Sequence, residues 1–423
     1  MDICVVGQGY IGIPTATLFA NNNCNVIGVD INEEIVTKLN QGIVPIEEPK
    51  INEILINCLN NGTYCAKNKP EKADVFIITV PTPFNKNDFS CDLSYVVSAC
   101  SSILPFVKKE NIIIVESTMA PLSTENIIKP IFEREGFTIG EDLYLAHCPE
   151  RVLPGNMVFE LIYNNRIVGG VTEKCAKKAA EVYGIFVKGN IIETESKIAE
   201  MSKCMENTFR DVNIALANEL VKICFELGIN ALDVIKIANQ HPRVNIHCPG
   251  PGVGGHCLAI DPYFIYSQAP STAKIIKLAR DTNRNMPDFV VDKTKKILSS
   301  SFLNEDEKPI ISIFGISYKG NSDDDRESPS YEIINKLKNC SKIKIYDPHI
   351  PKKSINFEDA IEDSSLILIL TDHNEFKDLD YNLILKKMKI PQIFDTKNIV
   401  SENNVPKEIK FLNFGNIHLS NQK

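Results

Sequence analysis

The segment Gly250-Pro251-Gly252-Val253-Gly254-Gly255-His256-Cys257 carries the strongest chemical signal in the sequence. Four glycines let backbone approach a ligand closely. The thiol beside them is a good nucleophile once a base or cation makes it a thiolate. Asp261 follows four residues later. Lys203 and Asn207 are also four apart, so on a helix they share a face. An ammonium and an amide donor there suit a developing oxyanion. A solvated lysine and an ordinary asparagine fit that spacing equally well. Cys148-Pro149-Glu150-Arg151-Val152-Leu153-Pro154-Gly155 places the Glu150 carboxylate just past an expected strand end. His247-Cys248 and His256-Cys257 invite zinc, but adjacent residues lack the C-x2-C spacing of a knuckle. No metal is expected.

A second constellation sits at the N-terminus, where Gly7-Gln8-Gly9-Tyr10-Ile11-Gly12 follows an apolar strand and opens a helix. Glycines at that spacing also occur in ordinary turns. In this context the first permits the turn, the second admits a pyrophosphate, and the third lets helix pack on strand. Asp30, about twenty residues on, would accept from ribose hydroxyls and repel a 2′-phosphate, favouring NAD over NADP. Thr82 and Thr118 lie past two further strand ends and are candidate cofactor contacts, although a hydroxyl that merely stabilises a turn would look the same. Gly315-Ile316-Ser317-Tyr318-Lys319-Gly320 and Asp325–Ser330 again follow a strand and open a helix. Lys319, Arg326 and that helix's amides suit an anion. The Asp323–Asp325 run reads as a solvated loop.

These residues need elements to position them. Strands are expected at Ile3–Val6, Asn25–Val29, Val75–Val80, Ile112–Glu116 and Leu143–His147, alternating with helices as βαβ units do. From Glu195 to about Leu227 apolar residues (Ile198, Met201, Met205, Phe209, Val212, Leu216, Leu220) recur at three and four. That predicts one helix of roughly 45–50 Å, ended by Gly228, linking domains and offering a stripe for dimerisation. A second α/β run has strands at Ile310–Phe314, Lys342–Tyr346, Leu366–Leu370 and Gln392–Phe394, with a helix near Pro329–Leu337. The two α/β ends are expected to be distantly alike in architecture, and the tail after Asn403 is polar.

The 423 residues exceed one ordinary core. The fold class expected is α/β: a Rossmann-type domain (1–194), a helical domain (195–300) and a smaller Rossmann-like domain (301–423). A net charge of −8 argues against a nucleic-acid binder. No apolar run approaches the roughly 20 residues needed to span a bilayer. Thirteen scattered cysteines form no disulfide framework, which points to a reducing cytoplasm.

Taken in order, Gly7–Pro14, Val80–Pro83, Glu116–Thr118, Lys203–Leu220, Gly250–Asp261 and Tyr318–Ser330 resemble the UDP-glucose/UDP-N-acetylmannosamine 6-dehydrogenase family over nearly the whole chain. Finer strings, Pro149–Gly155, Glu206–Asn213 and Gly250–Pro262, are similar to its UDP-N-acetyl-D-mannosamine branch. Pro154 stands where the UDP-glucose branch usually has a second glutamate.

The resemblance implies an NAD-dependent enzyme, dimeric or larger, that oxidises a UDP-sugar CH2OH to a carboxylate. It implies Cys257 as nucleophile, Lys203 and Asn207 as oxyanion and acid/base partners, and Asp261 as the carboxylate that positions or activates water. Glu150 would serve thioester hydrolysis, and Thr118 would lie near the nicotinamide. NAD contacts would come from Gly7, Gly9, Tyr10, Ile11, Gly12, Asp30, Thr82 and Thr118. UDP-sugar contacts would come from Arg151, Lys203, Asn207, Arg210, Arg243, His247, Gly254, Tyr318, Lys319 and Arg326, with Arg243 reaching across a dimer.

Two rival readings remain at this level. The same chemistry on UDP-N-acetylglucosamine, UDP-N-acetylgalactosamine or UDP-glucose differs by little more than one hydroxyl. A two-electron β-hydroxyacid-type dehydrogenase would also pair a Rossmann domain with a Lys-x-x-x-Asn helix, but would have no use for Cys257.

Overall fold

The computed structural model describes residues 1–46, 48–85, 88–152, 155–255, 257–301 and 308–421. Leu153, Pro154 and His256 lie outside them. The chain divides into two compact units: Met1–Glu206 with Tyr263–Pro270, and Asn207–Pro262 with Ser271–Lys423.

The first unit is built on an eight-stranded sheet. In chain order its strands are β1 (Asp2–Val6), β2 (Asn25–Val29), β3 (Tyr64–Lys67), β4 (Val75–Ile78), β5 (Ile112–Val115), β6 (Tyr144–His147), β7 (Arg166–Gly170) and β8 (Ile191–Glu195). In space they run β3-β2-β1-β4-β5-β6-β7-β8, parallel except where β7 meets β6 antiparallel. Both faces are covered, so the central strands are apolar throughout. Alternation along β1 sends Ile3 and Val5 into one core and Cys4 and Val6 into the other. The strand order reverses between β1 and β4, which opens a crevice at the carboxyl ends of those strands.

Five of these strands match the apolar runs in the sequence, while β3, β7 and β8 do not announce themselves. β3 reads Tyr-Cys-Ala-Lys, β7 opens on an arginine, and β8 is a largely exposed strand at the sheet edge. β4 is shorter than expected and ends at Ile78. Just past it, the Thr79 hydroxyl donates to the Gly7 carbonyl at 2.6 Å and so fastens the glycine turn.

The long helix spans Ser196–Leu227, and Gly228 follows at φ +70, as the glycine stop requires. The second unit adds helices Ala231–Ala238, Lys274–Arg284 and Met286–Ser301. Its parallel sheet has β9 (Ile310–Phe314), β10 (Lys342–Tyr346), β11 (Leu366–Ile369), β12 (Gln392–Asp395) and β13 (Lys410–Asn413), ordered β10-β9-β11-β12-β13. Helix Pro329–Leu337 falls at its expected bounds. The polar tail conceals β13, whose Leu412 is buried, as are Phe414 and Ile417 just beyond it.

The two sheets repeat one local device. Gly7 N–H donates to the Val29 carbonyl and Gln8 N–H to an Asp30 carboxylate oxygen, at 2.8 and 2.9 Å. In the second unit Gly315 N–H donates to the Tyr346 carbonyl and Ile316 N–H to Asp347, at 2.9 and 2.8 Å. Among the described residues no helix is long and apolar enough to cross a membrane.

Candidate functional site

In the first unit, Gly7 takes φ +100, and a Cβ on Gly12 would lie 1.7 Å from the Gly7 carbonyl oxygen. Strand and helix can meet this closely only with glycine at both places. A Cβ on Gly9 would meet nothing within 4 Å, so the turn's outer side stays open for a pyrophosphate before the helix that starts at Gly12. Tyr10 is exposed and Ile11 half-buried at that helix entry. Asp30 accepts from the amides of Gln8 and Asn32, one on each oxygen and both at 2.9 Å, which aims its carboxylate beside the turn. Gln8 is itself fixed by the Tyr64 hydroxyl. These residues fit a dinucleotide. The Thr82 hydroxyl donates to the Thr118 carbonyl at 2.7 Å and ties together the loops after β4 and β5.

Beneath these loops lies a buried charged cluster that the sequence did not reveal. Arg166, opening β7, donates to Glu116 at 2.5 Å, to Glu150 at 2.9 Å and, through Nε, to Cys148 Sγ at 3.1 Å. Its guanidinium stacks 4.0 Å from the Tyr183 ring. Tyr183 and Thr15 hydroxyls also donate to Glu116. Burial pushes the Glu116 carboxyl up to about 7 against the opposing pull of Arg166. Burial likewise pushes the Cys148 thiol up to about 12, leaving it an inert core group. Glu116 stood in a motif without a role, and Arg166 had none. The only available hint was a charged residue before the apolar run Ile167-Val168-Gly169-Gly170.

Glu200, one turn before Lys203 on the long helix, is fully buried and accepts from the amides of Leu122 and Thr124, both at 2.7 Å, and from the Thr124 hydroxyl at 2.6 Å. It thereby anchors the segment after Thr118. Burial raises its carboxyl to about 7. His147, at the end of β6, is pushed down to about 3 by burial and then by the charge of Lys203, so its imidazole is neutral. Arg151 pairs with Glu206 through two nitrogens, at 3.1 and 2.6 Å.

In the second unit, Cys257 is exposed, and its carbonyl accepts from the Asp261 amide at 2.9 Å as helix Asp261–Gln268 begins. The Asn207 side-chain amide donates to Asp261 at 2.6 Å. The glycine segment is pinned at Gly250, whose N–H donates to Asn218 at 2.9 Å. Asn218 in turn donates to Asn283, and Asn283 to Asp211, which also accepts from Arg280 at 2.5 Å. Gly254 and Gly255 lie under Tyr318: a Cβ on either would come 2.9 Å from that side chain.

Lys319 is exposed beside Tyr318. Arg326 grips Asp324 through Nε and Nη2, at 2.8 and 2.6 Å. Asp325 accepts from Tyr331 and Lys353. Asp323 is exposed, as a solvated loop would have it, whereas Asp324 and Asp325 are each paired. Ser328 caps the following helix by accepting from Ser330 N–H. Arg210 and Arg243 are exposed, while His247 packs edge-on to Phe209 at 6.2 Å. Burial, then Arg210, lowers the His247 imidazole below its usual value.

His349, His373 and Glu375 gather within 4.8 Å as potential metal ligands. His373, however, accepts from Asn321 N–H at one ring nitrogen and meets Asp347 and Ser317 with the other. It has no nitrogen to spare.

Residues 1–187, 197–285 and 312–402 match in turn the NAD binding, central and UDP binding domains of the UDP-glucose/GDP-mannose dehydrogenase family. A relative from Methanococcus maripaludis named UDP-N-acetyl-D-mannosamine dehydrogenase is 48% identical over 95% of this chain and 93% of its own. An NDP-N-acetyl-D-galactosaminuronic acid dehydrogenase from Ralstonia nicotianae is 41% identical over 95% and 97%. The solved UDP-N-acetyl-mannosamine dehydrogenase of S. aureus shares 50% identity at a TM-score of 0.92, covering 99% of this chain and 100% of that one. With a dinucleotide turn, a UDP binding domain and relatives of this identity along nearly its full length, the chain belongs to the UDP-glucose/GDP-mannose dehydrogenase family of NAD-dependent enzymes.

Proposed function

We propose that the chain oxidises UDP-N-acetyl-D-mannosamine at C6 from alcohol to carboxylate in two NAD-linked steps. The observation that carries this is the exposed Cys257 at the end of its glycine segment, followed by a buried Asp261 held by Asn207. NAD, when bound, accepts two electrons in each oxidation. The Cys257 thiolate adds to the C6 aldehyde, so the half-oxidised sugar stays on the protein as a thiohemiacetal. The second oxidation leaves a thioester. Lys203 and Asn207 stabilise the oxyanion, and the Lys203 amine accepts the hydroxyl proton released in each oxidation. Asp261 orients water, and Glu150 takes the water's proton as oxygen bonds to the acyl carbon. The carbon–sulfur bond breaks, and its electron pair returns to Cys257. Thr118 lies on the nicotinamide side.

Arg151, Arg210, Arg243, His247, Gly254, Tyr318, Lys319 and Arg326 hold the UDP-sugar. Arg151 and Arg326 must exchange Glu206 and Asp324 for the ligand to do so. A second copy of the chain covers the apolar stripe of the long helix, where Phe209 is 60% and Leu216 57% exposed. The free cysteines suit a cytoplasmic setting.

The name of the Ralstonia relative keeps an N-acetylgalactosamine-type sugar as the second reading. The test is a panel of UDP-sugars followed by NADH absorbance. The proposal expects two NADH per UDP-N-acetyl-D-mannosamine and the highest kcat/KM on that sugar. One NADH per sugar would eliminate the four-electron route, and a higher kcat/KM on a galacto-configured sugar would move the assignment there.

A further inference from the structure

We propose that Arg166 is the positioning residue for the hydrolytic half of the reaction, acting by holding Glu150 in place through the buried Arg166–Glu116 clamp. The inference rests on the role given to Glu150 above.

The geometry is specific. Three guanidinium nitrogens meet three different partners: Nη2 reaches Glu116, Nη1 reaches Glu150 and Nε reaches Cys148. The guanidinium carbon lies 4.0 Å from the centre of the Tyr183 ring, which packs against the fork that serves the three partners. The Tyr183 hydroxyl donates to the same Glu116 oxygen as Arg166, and Thr15, which sits on the helix of the dinucleotide turn, donates to the other. Arg166 therefore ties Glu150 to the strand end that leads into Thr118 and to the helix at the NAD turn. Arg166 and Glu116 are buried in the core of the unit, and neither is offered to a ligand. A buried charge pair need not add stability over apolar packing, so retaining one beside a working carboxylate points to orientation as its use.

The step it serves is the addition of water to the thioester on Cys257. Glu150 accepts the water's proton, the new carbon–oxygen bond forms, and sulfur leaves with the carbon–sulfur electron pair. The two oxidations do not use Glu150, so loss of the clamp should separate the half-reactions.

The test uses the full chain with NAD and UDP-N-acetyl-D-mannosamine, following NADH release and the intact mass of quenched protein. Arg166→Met combined with Glu116→Gln removes the clamp without leaving the Glu116 carboxylate buried and unpaired, while Glu150, 10% exposed, loses the partner that orients it. Arg166→Lys keeps the charge but replaces the three-way fork, and it carries the same test where the double variant does not fold. In either variant, hydrolysis should slow by about tenfold or more while early NADH formation and the sugar KM stay within about threefold. The acyl adduct at Cys257 should accumulate. Glu150→Gln should slow hydrolysis in the wild type by about tenfold or more, yet by less than about threefold in the double variant. Unchanged hydrolysis, equal loss of oxidation and hydrolysis, or a full Glu150→Gln effect in both backgrounds would overturn the positioning role. A wild-type chain that never carries sugar on Cys257 would instead overturn the reading beneath it.

Discussion

Asn207 donates its side-chain amide to Asp261 at 2.6 Å, and both side chains are buried. A residue of the long helix thus fixes the carboxylate that opens the helix following Cys257. Asn207→Ala would leave a buried carboxylate short of a donor, costing about 1–3 kcal/mol of stability. The oxyanion role proposed for Asn207 would add a fall in kcat of about 10²-fold. Thermal melts and initial rates check this together; a stable variant with wild-type kcat would remove Asn207 from the chemistry.

Cys257→Ser should lower uronate formation by about 10³-fold or more, because an alkoxide is hard to generate and an ester leaves less readily than a thioester. NAD affinity, read by fluorescence titration, should stay within about twofold. Full turnover by this variant would end the covalent route.

Asp30 lies beside the open side of the glycine turn with both oxygens aligned by backbone amides. Asp30→Ala should raise the KM for NAD by about tenfold to a hundredfold, the worth of a hydrogen bond to a charged group. It should also narrow the preference for NAD over NADP. An unchanged ratio of the two kcat/KM values would place the ribose elsewhere.

Glu200 gives a pH prediction. Burial raises its folded carboxyl to about 7, above the unfolded value, so the folded state binds the extra proton. Its contribution to stability is complete below the unfolded carboxylate range and is lost as pH rises through about 7. The melting temperature should therefore fall between about pH 5 and 7.5 by several degrees, and Glu200→Gln should flatten that slope while lowering stability at pH 5. Parallel curves for variant and wild type would refute the assignment.

Much of the fold is legible in the sequence. The strands that carry the glycine turn, Thr82 and Thr118 are apolar runs ended by turn residues, and the long helix advertises its period over 32 residues. Cys257, Asp261 and Asn207 are recognisable as types, but the Asn207–Asp261 bond joins residues 54 apart and has no local signature. Arg166 is the clearest case of hidden information. It reaches Glu116 across 50 residues and Glu150 across 16, through a strand whose first residue argues against burial. Periodicity reports which face is apolar; it cannot report which buried charge finds a partner.

Leu216, Phe209, Ile223 and Leu227 leave apolar surface along the long helix. Leu216→Glu with Ile223→Glu should turn a dimer into a monomer in light scattering, since a charged pair cannot be buried in a dry interface. A wild type that runs as a monomer would defeat the proposed pairing.

The repeated turn has a consequence for selectivity between the halves. Asp30 remains partly open, whereas Asp347 is fully buried, with one oxygen taken by the amides of His349 and Ile350 and the other by Ile316, Ser317 and His373. A ribose diol offered to the second turn meets a carboxylate already saturated with donors. The second turn therefore keeps the backbone shape of the first, but its carboxylate is spent on its own loop and offers no open oxygen to a diol.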